Sequence, residues 1–185
     1  MSFTESNMLP LGSEAPPFAL PDTVSGKIIR LEDIASDKAT VVMFICNHCP
    51  YVIHVNDEIV RVANDYIEKG IAFVAISSND VVNYPQDDPG EMKLQAEKLK
   101  YPFPYLYDES QNVARAFDAA CTPDFYVFDQ ELKLAYRGRI DDSRPGNKIP
   151  LSGKDLRSAL DALLSGQAVA EKQYPSGGCN IKWKR

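Results

Sequence analysis

Apolar positions fall in two patterns along this chain: short unbroken runs, and longer stretches in which they return every three or four residues. Residues 39–45, Ala-Thr-Val-Val-Met-Phe-Ile, are almost continuously apolar and rich in branched side chains, which predicts a strand buried on both faces. Val52, Val55, Ile59, Val62, Tyr66 and Ile67 then recur at steps of mostly three and four, predicting a helix with one apolar face. Pro50 suits its first turn, where a missing N–H costs nothing, and Gly70 supplies a left-handed end. Residues 71–76 form a second buried run. Strand, helix and strand in that order predict a right-handed βαβ unit with parallel pairing.

Residues 1–17 lack periodicity and read as an irregular lead-in, followed by a hairpin whose arms, 18–20 and 27–31, flank a turn-rich segment. Residues 77–90 are too polar and too broken for a long element and predict a loop over the rim of a site. A short helix over 91–100, a brief strand at 105–107 and a short helix over 111–117 follow. Residues 124–128 and 132–137 predict an antiparallel hairpin. Residues 153–164 close the pattern as a helix with Leu156, Leu160, Leu163 and Leu164 inward, and 171–185 form a tail with Cys179 and Trp183.

A length of 185 residues suits one domain, here 1–185, with a core large enough to need no metal or disulfide staple. The formal net charge of −6 argues against a nucleic-acid or anionic-membrane surface and leaves small molecules or proteins as partners. No stretch approaches the roughly 20 apolar residues of a membrane helix. The first residues lack a charged segment followed by an apolar one, so a cytoplasmic location is expected. The four cysteines, at 46, 49, 121 and 179, are too few and too uneven for a secreted disulfide scaffold. In a reducing compartment they are inert, metal ligands or redox thiols.

Position separates these readings. The stretch Phe44-Ile45-Cys46-Asn47-His48-Cys49-Pro50-Tyr51-Val52 delivers thiols from a strand end to a helix start, where unpaired N–H groups and the positive dipole end favour thiolate. The Cys-X-X-Cys spacing of Cys46 and Cys49 is also a metal half-site, but a zinc site needs two further ligands. His48 lies too near Cys49 in sequence to share an ion easily, and His54 falls about a turn and a half along the helix. No metal and no other cofactor is expected.

A βαβ unit with a thiol at its helix start, a later Thr122-Pro123 before a strand, then a hairpin and a final helix resembles the thioredoxin-like fold, an α/β architecture with a central mixed sheet flanked by helices. The motifs named above, with Cys121-Thr122-Pro123-Asp124-Phe125, Tyr136-Arg137-Gly138-Arg139-Ile140-Asp141-Asp142 and Gly178-Cys179-Asn180-Ile181-Lys182-Trp183-Lys184, resemble more closely the alkyl hydroperoxide reductase C/thiol-specific antioxidant group and its peroxiredoxin-like subgroup. The resemblance covers most of residues 10–185. It implies a thiol-dependent, antioxidant oxidoreductase that reduces a peroxide or disulfide and is restored by an external thiol; a non-catalytic redox sensor or protein-binding module is the alternative from a different class.

Two registers compete at the thiol pair. If Cys46 leads a Cys-X-X-Cys motif, the pair cycles as dithiol and disulfide. If Phe44 matches the aromatic residue ending the family's central strand, Cys49 falls on the attacking cysteine. Pro50 favours the second register, leaving Cys46 at the strand end. The family's proline and threonine, seven and three residues before its cysteine, are then replaced by Val42 and Cys46. Arg115, Arg137 or Arg139 could stand in for the family's arginine, and Thr122-Pro123, with a cis bond, is expected beside Cys49. His48 could support the thiolate or be an exposed loop residue. Cys121 is a resolving or a packing thiol. Cys179, after Gly177-Gly178, has the mobility of a resolving thiol, or belongs to a tail docked through Ile181 and Trp183. Asp141-Asp142 could be an acid/base couple or a solvated turn.

Overall fold

The computed structural model describes residues 3–184. In chain order its elements are β1 (Phe3–Glu5), β2 (Ala19–Pro21), β3 (Ile28–Arg30), α1 (Leu31–Ile34), β4 (Thr40–Phe44), α2 (Pro50–Ile67), β5 (Ala72–Ser77), a 3-10 turn (Pro85–Asp87), α3 (Pro89–Leu99), β6 (Tyr105–Tyr107), α4 (Asn112–Ala116), β7 (Cys121–Thr122), β8 (Asp124–Phe128), β9 (Leu134–Gly138), α5 (Lys154–Leu164) and β10 (Gly177–Asn180). The main sheet runs β6-β5-β4-β8-β9. β4, β5 and β6 are parallel, while β8 and β9 are antiparallel to their neighbours, so the sheet is mixed.

β4 is the centre because every one of its residues is buried. Strand side chains alternate between faces. Val41, Met43 and Ile45 join the apolar layer under α2 and α5, whereas Val42 and Phe44 join a second layer with Phe117, Tyr126 and Phe128. The apolar face of α2 is the predicted one for Val52, Val55, Ile59, Val62 and Tyr66, which are buried, whereas Ile67, at the helix end, is exposed. On α5 the buried face is Leu156, Ala159 and Leu160, while Leu163 and Leu164 pack at the margin.

The two ends of the chain depart from expectation. The lead-in contains β1 and the tail contains β10, and β10 lies between β1 and β7 in a second, three-stranded sheet. The tail is docked along its length. Ile181 N–H donates to the Ala120 carbonyl, Lys182 N–H to Asn79 Oδ1 and Lys184 N–H to Gln111 Oε1, at 3.0, 2.8 and 2.8 Å. Ile181 is buried, and Trp183 packs beneath the Arg115 guanidinium, 4.4 Å from its ring centroid. Of the two readings of the tail, the docked one through Ile181 and Trp183 is observed, and Gly177-Gly178 supplies close approach. A Cβ on Gly177 would overlap the Phe3 ring, and one on Gly178 would overlap the Thr122 carbonyl oxygen.

The docked tail is therefore part of the core, and Ile181 is its anchor. Ile181→Ala should lower stability by about 2–5 kcal/mol in urea denaturation, the cost of emptying a buried aliphatic site. An unchanged midpoint would show that the tail does not contribute.

Candidate active site

Cys49 is the N-cap residue of α2, with extended backbone and Pro50 directly after it, as the strand-to-helix pattern requires. Its side chain is fully buried, and Cys46, at the end of β4, is 1% exposed. The Thr122–Pro123 bond is cis, and Thr122 lies beside both thiols. As a thiol, Cys49 Sγ donates to the Thr122 carbonyl at 3.3 Å, and Cys46 Sγ lies 3.4 Å from Thr122 Oγ1.

Once ionised, Cys49 turns to a set of donors. The Cys46 thiol contributes most, followed by the Cys179 thiol and the Val52 and Cys179 amides; together they outweigh burial and bring the Cys49 thiol down to about 5. Cys46 is pushed far the other way by its hydrogen bond to Cys49, by burial and by the nearby Asp87 charge. Cys179 rises to about 12, from burial first and its bond to Cys49 second. Within the group the thiolate form is thus favoured at Cys49 and disfavoured at Cys46 and Cys179.

Cys121 packs against main-chain carbonyls. It is fully buried, raised well above the ordinary range by burial, and its sulfur lies 3.9 Å from the Pro123 and Ser176 carbonyls. Its Cβ side of β7 does not join the three-thiol group, since it is Thr122 that reaches Cys46 and Cys49.

His48 is not an exposed loop residue. Its Nδ1 is 2.6 Å from Asp87 Oδ2, its ring stacks on Tyr84 at 5.5 Å, and Nε2 is buried. Asp87, on the 3-10 turn of the rim loop, is fully buried and also accepts from the Asn47 amide at 2.8 Å and from Asn79 Nδ2 at 2.7 Å. Burial alone would raise its carboxyl, but these bonds, led by His48, hold it below the usual range. Asp87 shapes the Cys46–Cys49 loop and was missed from sequence; its only signal is an acidic residue just before the helix-opening Asp88-Pro89. The ligand-type atoms of Cys46, His48 and Asp87 lie within 4.8 Å of one another, yet both Asp87 oxygens are already taken by protein donors. His54 is spent on Ser143, at 2.8 Å.

None of the candidate arginines takes up the thiolate. Arg139 binds Asp155 at 2.6 Å and covers the Tyr174 ring, Arg137 binds the Leu9 carbonyl and Gln173, and Arg115 covers Trp183. Arg139, expected as a substrate-positioning residue, has its guanidinium paired with Asp155 on α5. The Asp141 carboxylate caps α5 by accepting the Ser152 and Gly153 amides, and Asp142 pairs with Lys154, so the two are not an acid/base couple.

The model of the AhpC/TSA family matches residues 11–137, more than half of the chain. The chain belongs to the AhpC/TSA family. That membership makes it a thiol-dependent redox enzyme, and the solved structures agree on the fold. A protein from Geobacillus kaustophilus is 64% identical over 100% of this chain and 97% of that one, with a TM-score of 0.99. One from Sinorhizobium meliloti is 44% identical over 98% of each chain, at 0.95. A thiol:disulfide interchange protein of the thioredoxin family from Chlorobium tepidum is 18% identical, covers 84% of this chain and 99% of that one, and has a TM-score of 0.64, which shows the thioredoxin-like fold. Comparison with curated protein sequences finds no significant match.

Among the described residues no helix is long and apolar enough to cross a membrane. Within this AhpC/TSA chain the unusual feature is a thiolate held by thiols. The ultraviolet absorbance of thiolate should titrate with a midpoint near 5, and Cys46→Ala should move that midpoint upward by removing the strongest donor. Because folding lowers this pKa from an ordinary value of about 8.5, Cys49 contributes stability above the ordinary value that is lost as pH falls through 5. A midpoint unmoved in Cys46→Ala would overturn the donor assignment.

Proposed function

We propose that this AhpC/TSA enzyme reduces a small peroxide through Cys49. The observation that carries the reading is a thiolate-favouring cysteine, fully buried at a helix start, with two protonated thiols hydrogen-bonded to it. Burial favours a small oxidant over a bulky one. The thiolate attacks one peroxide oxygen, the O–O bond breaks, and Cys49 becomes a sulfenic acid while the other oxygen leaves as alkoxide or hydroxide. Cys46 supplies the proton that neutralises the leaving oxygen and regains one from water before the disulfide forms. A neighbouring thiol then displaces hydroxide from the sulfenic sulfur, giving a disulfide and water, and an external thiol reductant restores the pair.

The site does this without the family's peroxide cradle. Val42 points into the sheet layer opposite the thiols, and Arg115, Arg137 and Arg139 are each engaged elsewhere, so the leaving oxygen is served by a thiol proton rather than by a cation. Thiol–disulfide exchange is the second reading. It is favoured by the direct Cys46–Cys49 hydrogen bond, which places a second thiol ready to release a mixed disulfide from Cys49. A cytoplasmic setting, with its supply of small thiols, belongs to both readings.

Stoichiometric hydrogen peroxide should convert Cys49 to a sulfenic acid or disulfide, detected by mass spectrometry of trapped peptides, and Cys49→Ser should reduce peroxide consumption to the uncatalysed rate. Cys49 left intact in folded protein, with insulin disulfides reduced instead, would replace the peroxidase reading with the exchange reading.

A further inference from the structure

β7 has a strand edge directly beside the nucleophile, and this chain fills it with its own tail. Cys179 on β10 stands opposite Thr122, and Asn180 opposite Cys121. The Thr122 carbonyl is 3.3 Å from Cys49 Sγ, so whatever residue faces Thr122 is brought to Cys49. A strand edge of this kind is where an extended polypeptide adds by main-chain hydrogen bonds, offering alternate side chains to the surface below. β10 is laid in that manner, and the side chain it offers is a thiol in the same buried cluster as Cys49.

The seat is shaped for this occupant. Gly178 passes so close to Thr122 that a Cβ would overlap its carbonyl, and Gly177 packs on the Phe3 ring. β1 closes the outer side of β10, with Phe3 opposite Cys179 and Thr4 opposite Gly178. Ser6 ties this cover down by donating to Asp124 Oδ1 and accepting from the Ser176 amide, both at 2.8 Å.

We propose that Gly177–Asn180 is an internal substrate strand: it occupies the β7 edge as a cysteine-bearing peptide would, closes that edge to outside polypeptides, and hands Cys179 to Cys49 as the disulfide partner. Oxidised Cys49, as a sulfenic acid, is attacked by the Cys179 sulfur; the S–O bond breaks, a Cys49–Cys179 bond forms, and the Cys179 proton leaves with hydroxide as water. Cys46 keeps its thiol in this step. Gly178 is the positioning residue that fixes which thiol reaches Cys49. The proposal rests on Cys49 as the reacting thiol but not on the identity of its oxidant.

The test reads the pairing with two oxidants. Diamide takes two electrons and two protons from a thiol pair without peroxide chemistry, and hydrogen peroxide passes through the sulfenic acid. Peptides mapped without reduction should give Cys49–Cys179 as the main disulfide with diamide. Cys179→Ser should lose it, and Gly178→Ala should shift the majority to Cys46–Cys49 while far-ultraviolet circular dichroism stays native. A single-cysteine extended peptide, offered as its pyridyl disulfide, should couple to Cys49 faster in Gly178→Ala than in the wild type. Cys46–Cys49 as the main wild-type disulfide, unchanged pairing in folded Gly178→Ala, or equal coupling rates would each overturn the proposal. Diamide joining Cys49 to Cys179 while peroxide leaves Cys49 untouched would support the strand and remove only the peroxidase reading.

Discussion

A sulfur anion removed from water must be solvated by the chain around it, and much of this architecture answers that requirement. Cys49 is buried completely, and burial by itself would hold it protonated. The helix start contributes the Val52 amide, but the strongest donor is another thiol, and two more come from a strand at the far end of the sequence. The arrangement is a division of labour among three cysteines. One carries the charge because two others keep their protons. A point cation such as an arginine would stabilise the thiolate too, but could not later become a bond partner of the same sulfur. Thiol donors do both.

The same requirement explains the loop between β4 and α2. Five residues must turn from a buried strand into a helix while leaving Cys46 and Cys49 on one side, and Asp87 holds that turn by accepting the Asn47 amide and facing the His48 ring. Asp87 is fully buried and is reached from Asn79 at the end of β5 as well, so the rim loop serves as an inner wall rather than a cover.

Most of the main sheet was legible in the sequence because its signals are local. The apolar run of β4, the three-and-four spacing of α2 and the branched run of β5 each determine an element within a few turns of chain. Cys49 as helix cap was readable for the same reason, from Pro50 alone. What escaped was long-range. β1 and β7 are three and two residues long and have no periodicity to detect, and β10 contains two glycines that elsewhere signal freedom. β1 pairs with β10 across more than a hundred residues, and β7 pairs with β10 across more than fifty. Arg139 shows another long-range effect: the sequence left three arginines open as partners of the site, and an acidic residue on α5 pairs with this one.

The position of β10 orders the assembly of the protein in time. Cys46 and Cys49 emerge early during synthesis and can fold into β4 and α2 with the strands beside them. The two donors supplied by Cys179 arrive more than a hundred residues later, and the Asn79, Ala120 and Gln111 groups that hold the tail wait unpaired until then. Until residues 177–184 close over it, a growing chain leaves Cys49 to water and to Cys46, its strongest donor, and the closed site is complete only when the last strand is in place.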